Sequence, residues 1–171
     1  VLATGLILME PFRVARMAIF RDPWQDPQDT GYQLIQSLYA LANGGLFGAG
    51  PGGSRQKFAY LTFGDSDFIL SIIGEEYGFI GITLLIAVFG VLVFRGYRVA
   101  NLAQDSYGAF LATGITSIVW IQLIINALVV TSSMPPTGLP LPFISAGGSS
   151  LVIFLAQMGV LLNISRHTRQ I

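Results

Sequence analysis

The sequence has no cysteine and few charged residues, which make up only 11% of its 171 residues. Without cysteine, the chain can form no disulfide, no thiol nucleophile and no thiolate metal site. Its nine basic and nine acidic residues balance, which excludes the strong positive excess of a protein that binds nucleic acid. The lone histidine, His167, excludes a histidine metal cluster. Soluble domains carry about 25% charged residues, so the scarcity of charge also excludes an ordinary water-exposed fold.

Long apolar stretches are present instead, and 53% of the residues are hydrophobic. Three stretches run from Phe68 to Phe94, from Tyr107 to Thr131 and from Ser149 to Ser165. Since roughly 20 apolar residues cross the hydrocarbon of a bilayer, each is predicted to be a transmembrane helix. Residues 1–9 are predicted to be the end of a further, truncated helix. The predicted fold class is an all-α polytopic membrane protein, a helical bundle with a large structured extracytoplasmic loop.

The basic residues predict how the bundle is oriented. Four arginines flank the spans at one end, two after the first span and two after the third: Arg95, Arg98, Arg166 and Arg169. The positive-inside rule makes this end cytoplasmic. Residues 10–66 are then a large extracytoplasmic loop. Residues 67–171 hold three C-terminal transmembrane helices, joined on the outer side by the uncharged residues 132–148.

Two parts of the outer region carry local structure signals. Residues 30–42 place apolar side chains at helical spacing, between a suitable N-cap at Thr30 and a stop signal at residues 43–45. They predict a short amphipathic helix at the membrane surface. Residues 132–148 mix prolines with apolar residues. Non-helical backbone of this kind is tolerated at membrane depth only inside protein or along a cavity, so a re-entrant loop is predicted there.

The scarce carboxylates gather where the outer loop becomes the first span. Asp67 lies at the mouth of that helix, and Glu75 and Glu76 follow about two turns later. At about 100° per residue, Ser71 shares the face of Asp67. Ionisable groups inside a span are functional candidates because they need a cavity or a partner. Asp67 is therefore a candidate catalytic group, with helix N-capping as the alternative. Ser71, Glu75 and Glu76 are predicted to line a cavity. The alternative for the two glutamates is a structural role, in which they pair with other groups and lock helices together.

Two other pairs of polar residues attract attention. Arg55 and Lys57 follow the glycine-rich run of residues 44–53. They are predicted to bind a phosphate or pyrophosphate. The alternative is that they are ordinary basic residues near lipid headgroups. Gln122 and Asn126 share one helix face within the second span. Amides in such positions usually bond to a neighbouring helix, which is the interpretation favoured here.

Four stretches together resemble the SEDS family of shape, elongation, division and sporulation proteins, and in particular its FtsW/SpoVE branch. They read GYQLIQSLYALANGGLFGAGPGGSRQKFAYL, SDFILSIIGEEYGFIG, MPPTGLPLPFISAGGSSL and LLNISRHTR. The resemblance covers nearly the whole chain and implies the C-terminal portion of a larger polytopic protein. It implies a peptidoglycan glycosyltransferase that polymerises lipid II into glycan strands at the outer face of the bacterial cytoplasmic membrane.

The resemblance also implies roles for particular residues. The family's catalytic carboxylate falls on Asp67, which would take the proton from the attacking acceptor hydroxyl in an inverting transfer. Substrate binding falls on five positions: Arg55, Lys57, Ser145, Gly147 and Gly148. The negative charge of the leaving lipid pyrophosphate would be stabilised by Arg55 and Lys57 or by a divalent cation, Mg²⁺ or Mn²⁺. The implied partners are lipid II, the nascent glycan strand and a class B penicillin-binding protein, the transpeptidase that crosslinks new strands.

The chain departs from the family's pattern at two places. Residues 62–65 read Thr-Phe-Gly-Asp where a Pro-Glu-x-His/Gln stretch is usual, which leaves Asp65 as a substitute polar group. Ala146 stands where the family usually has tyrosine. These departures leave one alternative to a polymerase, a catalytically impaired scaffold for a penicillin-binding protein. A second alternative is a lipid II flippase or transporter, because polar residues inside spans also suit a transport path.

Overall fold

The computed structural model describes residues 23–25, 31–54 and 67–168, and in these ranges it contains no β-strand. A short 3-10 turn, Pro23–Gln25, precedes four α-helices. They are α1 (Tyr32–Gly44), α2 (Ile69–Leu102), α3 (Ser106–Val130) and α4 (Gly148–Arg166). Helix α2 packs against each of the other three. The predicted all-α architecture is confirmed.

Helices α2, α3 and α4 are each long and apolar enough to cross a membrane. They coincide with the three predicted spans, although α2 continues past Phe94 to Leu102. The polytopic membrane fold predicted from hydropathy is therefore confirmed. Residues 1–9, which were predicted to end a further span, lie outside the described residues.

The two ends of the bundle are arranged as the sequence predicts. At one end, Ala103 after α2 pairs with Thr168 after α4 in an isolated antiparallel bridge. The α2–α3 connection and the end of α4 therefore lie on one side. At the other end, Asn126 near the end of α3 binds the backbone of Asp67 just before α2. Asp67 and the α3–α4 connection therefore share the opposite side.

Helix α1 packs its apolar face against protein. Leu34, Ile35 and Ala40 are buried, and the Ser37 hydroxyl donates to the Val130 carbonyl at the end of α3 (2.9 Å). The sequence predicted an amphipathic helix at the membrane surface. Burying a Leu or Ile side chain contributes roughly 1.5–3 kcal/mol, so the contact with α2 and α3 makes α1 part of the bundle. The predicted cap, Thr30, lies outside the described residues.

Helix α2 is interrupted at Gly78, whose φ of 68° and ψ of −167° are not helical. In a regular helix the Phe79 and Ile80 amides would donate to carbonyls four residues earlier. Here Phe79 N donates to the Gly45 carbonyl (2.9 Å) and Ile80 N to the Leu46 carbonyl (3.2 Å). The predicted span is present, and the break at Gly78 is a feature that the sequence did not predict.

The carbonyls released by the interruption are taken up by the same loop. Ala49 N donates to the Glu75 carbonyl (2.8 Å) and Gly50 N to the Glu76 carbonyl (3.0 Å). We call these four bonds, between residues 45–50 and 75–80, the backbone exchange. It requires glycine at Gly48, because a Cβ there would strike the Glu76 carbonyl. The glycine-rich run therefore serves close backbone contact with α2.

The connection between α3 and α4 enters the bundle. Leu141 and Pro142 are fully buried. The Phe143 ring lies between the Phe89 ring of α2 (centroids 6.2 Å apart) and the Phe154 ring of α4 (5.4 Å). The aromatic contacts tie α2 and α4 together through a segment that belongs to neither helix.

The Gly78→Ala variant tests the backbone exchange. A Cβ at this position would meet Gly48 N and the Leu46 carbonyl, and it would also strain the positive φ. We expect a loss of roughly 2–5 kcal/mol of unfolding free energy, measured as a lower unfolding midpoint in detergent. The matched control is Gly90→Ala in the same helix, where a Cβ meets nothing within 4 Å. Equal midpoints for the two variants would contradict the assigned contact.

Candidate active site

Asp67 stands directly before α2 at the end of the bundle that carries the α3–α4 connection. The N-cap residue of α2 is Phe68, which makes no side-chain cap hydrogen bond, so α2 gives no support to the capping alternative for Asp67. Asp67 is half-buried and lines a cavity of about 70 Å³. The other lining residues come from α1, the start of α2, the end of α3 and the α3–α4 connection: Gln33, Phe68, Val129, Pro136, Thr137, Gly138 and Leu139.

Asn126 fixes the backbone on two sides of this cavity. Its side chain is 1% exposed, and Nδ2 donates to the Asp67 carbonyl (2.9 Å) and the Leu139 carbonyl (3.0 Å). One amide group therefore joins α3, the residue before α2 and the α3–α4 connection. A turn earlier on α3, Gln122 Nε2 donates to the Pro140 carbonyl (2.9 Å). The two amides were predicted to bond to a neighbouring helix; they bind these non-helical segments instead.

The bound connection brings Gly138 against the carboxylate. A Cβ at Gly138 would stand 3.7 Å from Asp67 Oδ2, and Gly138 itself has a φ of 69°. Across the described ranges, Asn126 Oδ1 is buried and has no hydrogen-bond partner. Asn126 Nδ2 thus holds two walls of the cavity, whereas Oδ1 accepts no hydrogen bond from the described part of the chain. The carboxylate is placed by its own backbone and by Asn126.

Ser145, Gly147 and Gly148 do not line the Asp67 cavity. The Ser145 side chain is buried, and its Oγ accepts from Leu141 N (2.7 Å) within the connection. Gly147 is the N-cap of α4, and its carbonyl accepts from Ser150 Oγ (2.7 Å). In the described part of the chain these residues shape the α3–α4 connection. Their implied contact with substrate stays a prediction.

Ser71, Glu75 and Glu76 are also separate from the Asp67 cavity. Ser71 is fully buried, with its hydroxyl donating to the Phe68 carbonyl (2.7 Å). Glu75 is 1% exposed and accepts from Ser54 Oγ at Oε2 (2.5 Å). Glu76 is half-buried, and its carbonyl takes part in the backbone exchange. The face predicted to line a cavity with Asp67 is covered by α1 and the glycine-rich loop. Glu75 lines a different cavity, together with Asn43, Ala49 and Gly53, and its role stays a prediction.

Several predicted site residues lie outside the described ranges. They are Arg55, Lys57, Asp65 and the other residues of the departure at 62–65. Ala146 is described and exposed. No group of three His, Cys, Asp or Glu side chains suited to a metal ion occurs in the described ranges. The divalent cation therefore stays a prediction.

The sequence did not single out two polar residues of the cavity. Gln33 comes from the first turn of α1, and Thr137 from the α3–α4 connection. A helix assigned to the membrane surface gave no reason to place Gln33 beside Asp67. The signal for Thr137 was its position in a loop predicted to line a cavity, although no single residue of that loop stood out.

Comparison with known proteins decides the family. The family model described as "Cell cycle protein", which covers FtsW, RodA and SpoVE, matches residues 1–170. The chain belongs to the FtsW/RodA/SpoVE family. The SEDS resemblance of the four sequence stretches is thereby confirmed.

Curated relatives of this FtsW/RodA/SpoVE chain are similar over nearly its whole length. Stage V sporulation protein E of Bacillus subtilis is 53% identical over 165 residues, which are 96% of the chain and 45% of that relative. A probable peptidoglycan glycosyltransferase FtsW of Geobacter sulfurreducens is 50% identical over 164 residues, again 96% of the chain and 44% of the relative. The chain therefore spans less than half the length of these relatives.

Solved structures of family members share the fold. A chain from a structure described as "Structural coordination of polymerization and crosslinking by a peptidoglycan synthase complex" matches with a TM-score of 0.75 and 28% identity. That match covers 93% of this chain and 43% of the other. The rod shape determining protein RodA of Thermus thermophilus matches with a TM-score of 0.60 and 31% identity, over 79% of this chain and 41% of RodA.

Replacing Asn126 by leucine tests its role in the site. Asn126→Leu keeps the size of the side chain but leaves the partly buried Asp67 and Leu139 carbonyls without this donor, at a cost of roughly 2–5 kcal/mol. Gln122→Leu is the matched control, because it removes one such bond from the same helix face and should cost about half as much. Unfolding midpoints in detergent measure both. A larger loss for Gln122→Leu would contradict the central position given to Asn126.

Proposed function

We propose that this chain carries the catalytic carboxylate of a peptidoglycan glycosyltransferase, which polymerises lipid II into glycan strands. The observation that carries the proposal is the position of Asp67. It is the carboxylate of the family's motif, it lines a cavity at one end of a membrane bundle, and its backbone is fixed by Asn126. Relatives about half identical to the chain are named peptidoglycan glycosyltransferases, which supports the proposal.

In the proposed reaction, Asp67 acts as a general base. It takes the proton from the acceptor sugar hydroxyl while that oxygen attacks the anomeric carbon of the donor. A glycosidic bond forms, the bond between the anomeric carbon and the lipid pyrophosphate breaks, and the configuration at that carbon inverts. The proton ends on the carboxylate and the electron pair leaves with the pyrophosphate.

The size of the cavity is compatible with proton transfer from a single hydroxyl group to Asp67. Its volume of about 70 Å³ holds a few water molecules or one hydroxyl group. A sugar ring would therefore lie outside it and direct one hydroxyl towards Asp67. Gln33 and Thr137, which also line the cavity, provide hydrogen-bonding groups for such a hydroxyl.

The developing negative charge on the lipid pyrophosphate needs cations. Arg55 and Lys57 are the residues proposed for this contact, since both are cationic and follow a loop that is packed on α2 near Glu75. A divalent cation, Mg²⁺ or Mn²⁺, would supply the same charge, and no step of the proposed reaction depends on it. Ser145, Gly147 and Gly148 belong to the proposal as substrate contacts through family resemblance.

The proposed location is the bacterial cytoplasmic membrane, with Asp67 on the outer side. The basic side chains at the opposite end of the bundle support this orientation, because Arg95, Arg98 and Arg166 all lie there. A class B penicillin-binding protein is the proposed partner. Its support is the similarity to a chain of a structure described as coordinating polymerization and crosslinking in a peptidoglycan synthase complex.

A lipid II flippase or transporter is the alternative function, and polar groups inside the spans would suit a transport path. In the described spans, Ser71 bonds to Phe68, Thr116 to Ala112 and Tyr97 to Ser117. Asn126 Oδ1 and Gln157 Oε1 are buried without a partner among the described residues, so the decision between a polymerase and a flippase belongs to experiment. An impaired scaffold would also keep this fold, and activity measurement separates it from a polymerase.

The Asp67→Asn variant tests the general base. We expect lipid II polymerisation by the purified full-length protein to fall 10²–10⁴-fold, because the amide cannot take the proton. The matched control is Asp105→Asn. Asp105 caps α3 at the other end of the bundle through the Gly108 amide (2.7 Å), and asparagine caps helices equally well. Polymerisation by Asp67→Asn at the level of Asp105→Asn would refute the assignment.

A detergent assay separates the polymerase from the alternatives. Detergent micelles provide no second compartment, so a flippase has no measurable product there, whereas a polymerase converts lipid II into glycan strands. We expect strands that electrophoresis resolves as a ladder. Lipid translocation in vesicles without strands in detergent would establish a flippase. A folded protein that forms no strands but still binds the transpeptidase would establish a scaffold.

A further inference from the structure

The glycine-rich loop of residues 44–53 exposes two large apolar side chains. Leu46 is 64% exposed and Phe47 is 80% exposed. No residue in the loop has a polar side chain, since it reads GGLFGAGPGG. Water-exposed loops are normally rich in polar side chains. This composition points to surroundings other than water.

The backbone exchange shows at what depth the loop lies. It pairs Leu46 with Ile80 of α2. From Phe79 to Phe94 the helix carries no charged residue, a stretch of about 24 Å at 1.5 Å per residue. The hydrocarbon of a bilayer is about 30 Å thick. If Arg95 marks one boundary, Ile80 lies inside the hydrocarbon, and Leu46 lies at the same level.

The helix surface at this level is also apolar and uncovered by described protein. Phe79 is 63% exposed and Ile80 is 53% exposed. The loop therefore adds Leu46 and Phe47 to a helix surface that is itself suited to lipid. Exposed apolar side chains grouped in this way mark an interaction surface, and continuity with the membrane span identifies lipid as its partner.

Non-helical backbone can exist in hydrocarbon only if its polar groups are paired. The Gly45 and Leu46 carbonyls accept from α2, and the Ala49 and Gly50 amides donate to it. The Gly48 amide donates to the Gly44 carbonyl (2.7 Å). These bonds pair five backbone polar groups of residues 45–50 and so lower the cost of placing a glycine loop in the membrane.

We propose that residues 45–50 form a membrane-inserted loop whose Leu46 and Phe47 side chains contact lipid acyl chains. The leaflet is the one on the Asp67 side of the bundle. The loop enters and leaves the hydrocarbon on that same side, within the segment of residues 10–66 that was predicted to be a large extracytoplasmic loop. This inference does not rest on the proposed glycosyltransferase activity.

Spin labelling tests the proposal directly. The chain has no cysteine, so Phe47→Cys introduces one position for a nitroxide label. The labelled chain is reconstituted into vesicles of phosphatidylethanolamine and phosphatidylglycerol. Collision with oxygen, which concentrates in hydrocarbon, is compared with collision with a water-soluble nickel chelate. Leu46→Cys provides a second label position should Phe47→Cys not fold.

Two exposed positions calibrate the measurement: Val88→Cys in the middle of α2 and Ser133→Cys after α3. We expect the ratio of oxygen to nickel collisions at Phe47 to be close to that at Val88 and several-fold above that at Ser133. A ratio at the level of Ser133 would place the loop in water and overturn the proposal. Low collision rates with both reagents and an immobilised spectrum would show a protein cover, which would also overturn it.

Discussion

The structure depends on the rule that backbone polar groups within a membrane must be paired. An unpaired amide or carbonyl in hydrocarbon costs several kcal/mol, yet α2 is interrupted at Gly78, in the part of the helix that follows Asp67. The backbone exchange resolves this conflict by pairing residues 75–80 with residues 45–50. It also joins the end of α1 to α2 and so helps to position α1, which contributes Gln33 to the Asp67 cavity.

A second interaction, through Asn126, positions Asp67 by its backbone and leaves its carboxylate unbound by Asn126. Asn126 binds the Asp67 carbonyl, and its bond to Leu139 fixes the opposite wall of the cavity. The carboxylate itself is left to face the cavity beside Gln33 and Thr137. In the proposed reaction, this arrangement keeps the Asp67 side chain available for a substrate hydroxyl.

Hydropathy predicted the three spans because exposure to lipid requires long apolar runs. The arginines predicted which connections lie at the same end of the bundle, because all of them flank that end. Motif resemblance singled out Asp67, which the structure places in a cavity. The break at Gly78 and the part played by Gln33 could not be predicted, since each depends on contact between segments far apart in sequence. Helical angles also misled for Ser71: it shares a face with Asp67 on an ideal helix, but Asp67 precedes α2 and α1 covers that face.

The backbone exchange has a consequence for the order in which the chain assembles. Residues 45–50 are synthesised before residues 75–80, so the four bonds form only after the outer part of α2 has followed. Until then, the Phe79 and Ile80 amides have partners only in a continuous helix, on the carbonyls of Glu75 and Glu76. The interruption therefore depends on tertiary contact: α2 alone offers no partners for the four backbone groups that the break at Gly78 releases, and residues 45–50 supply all four.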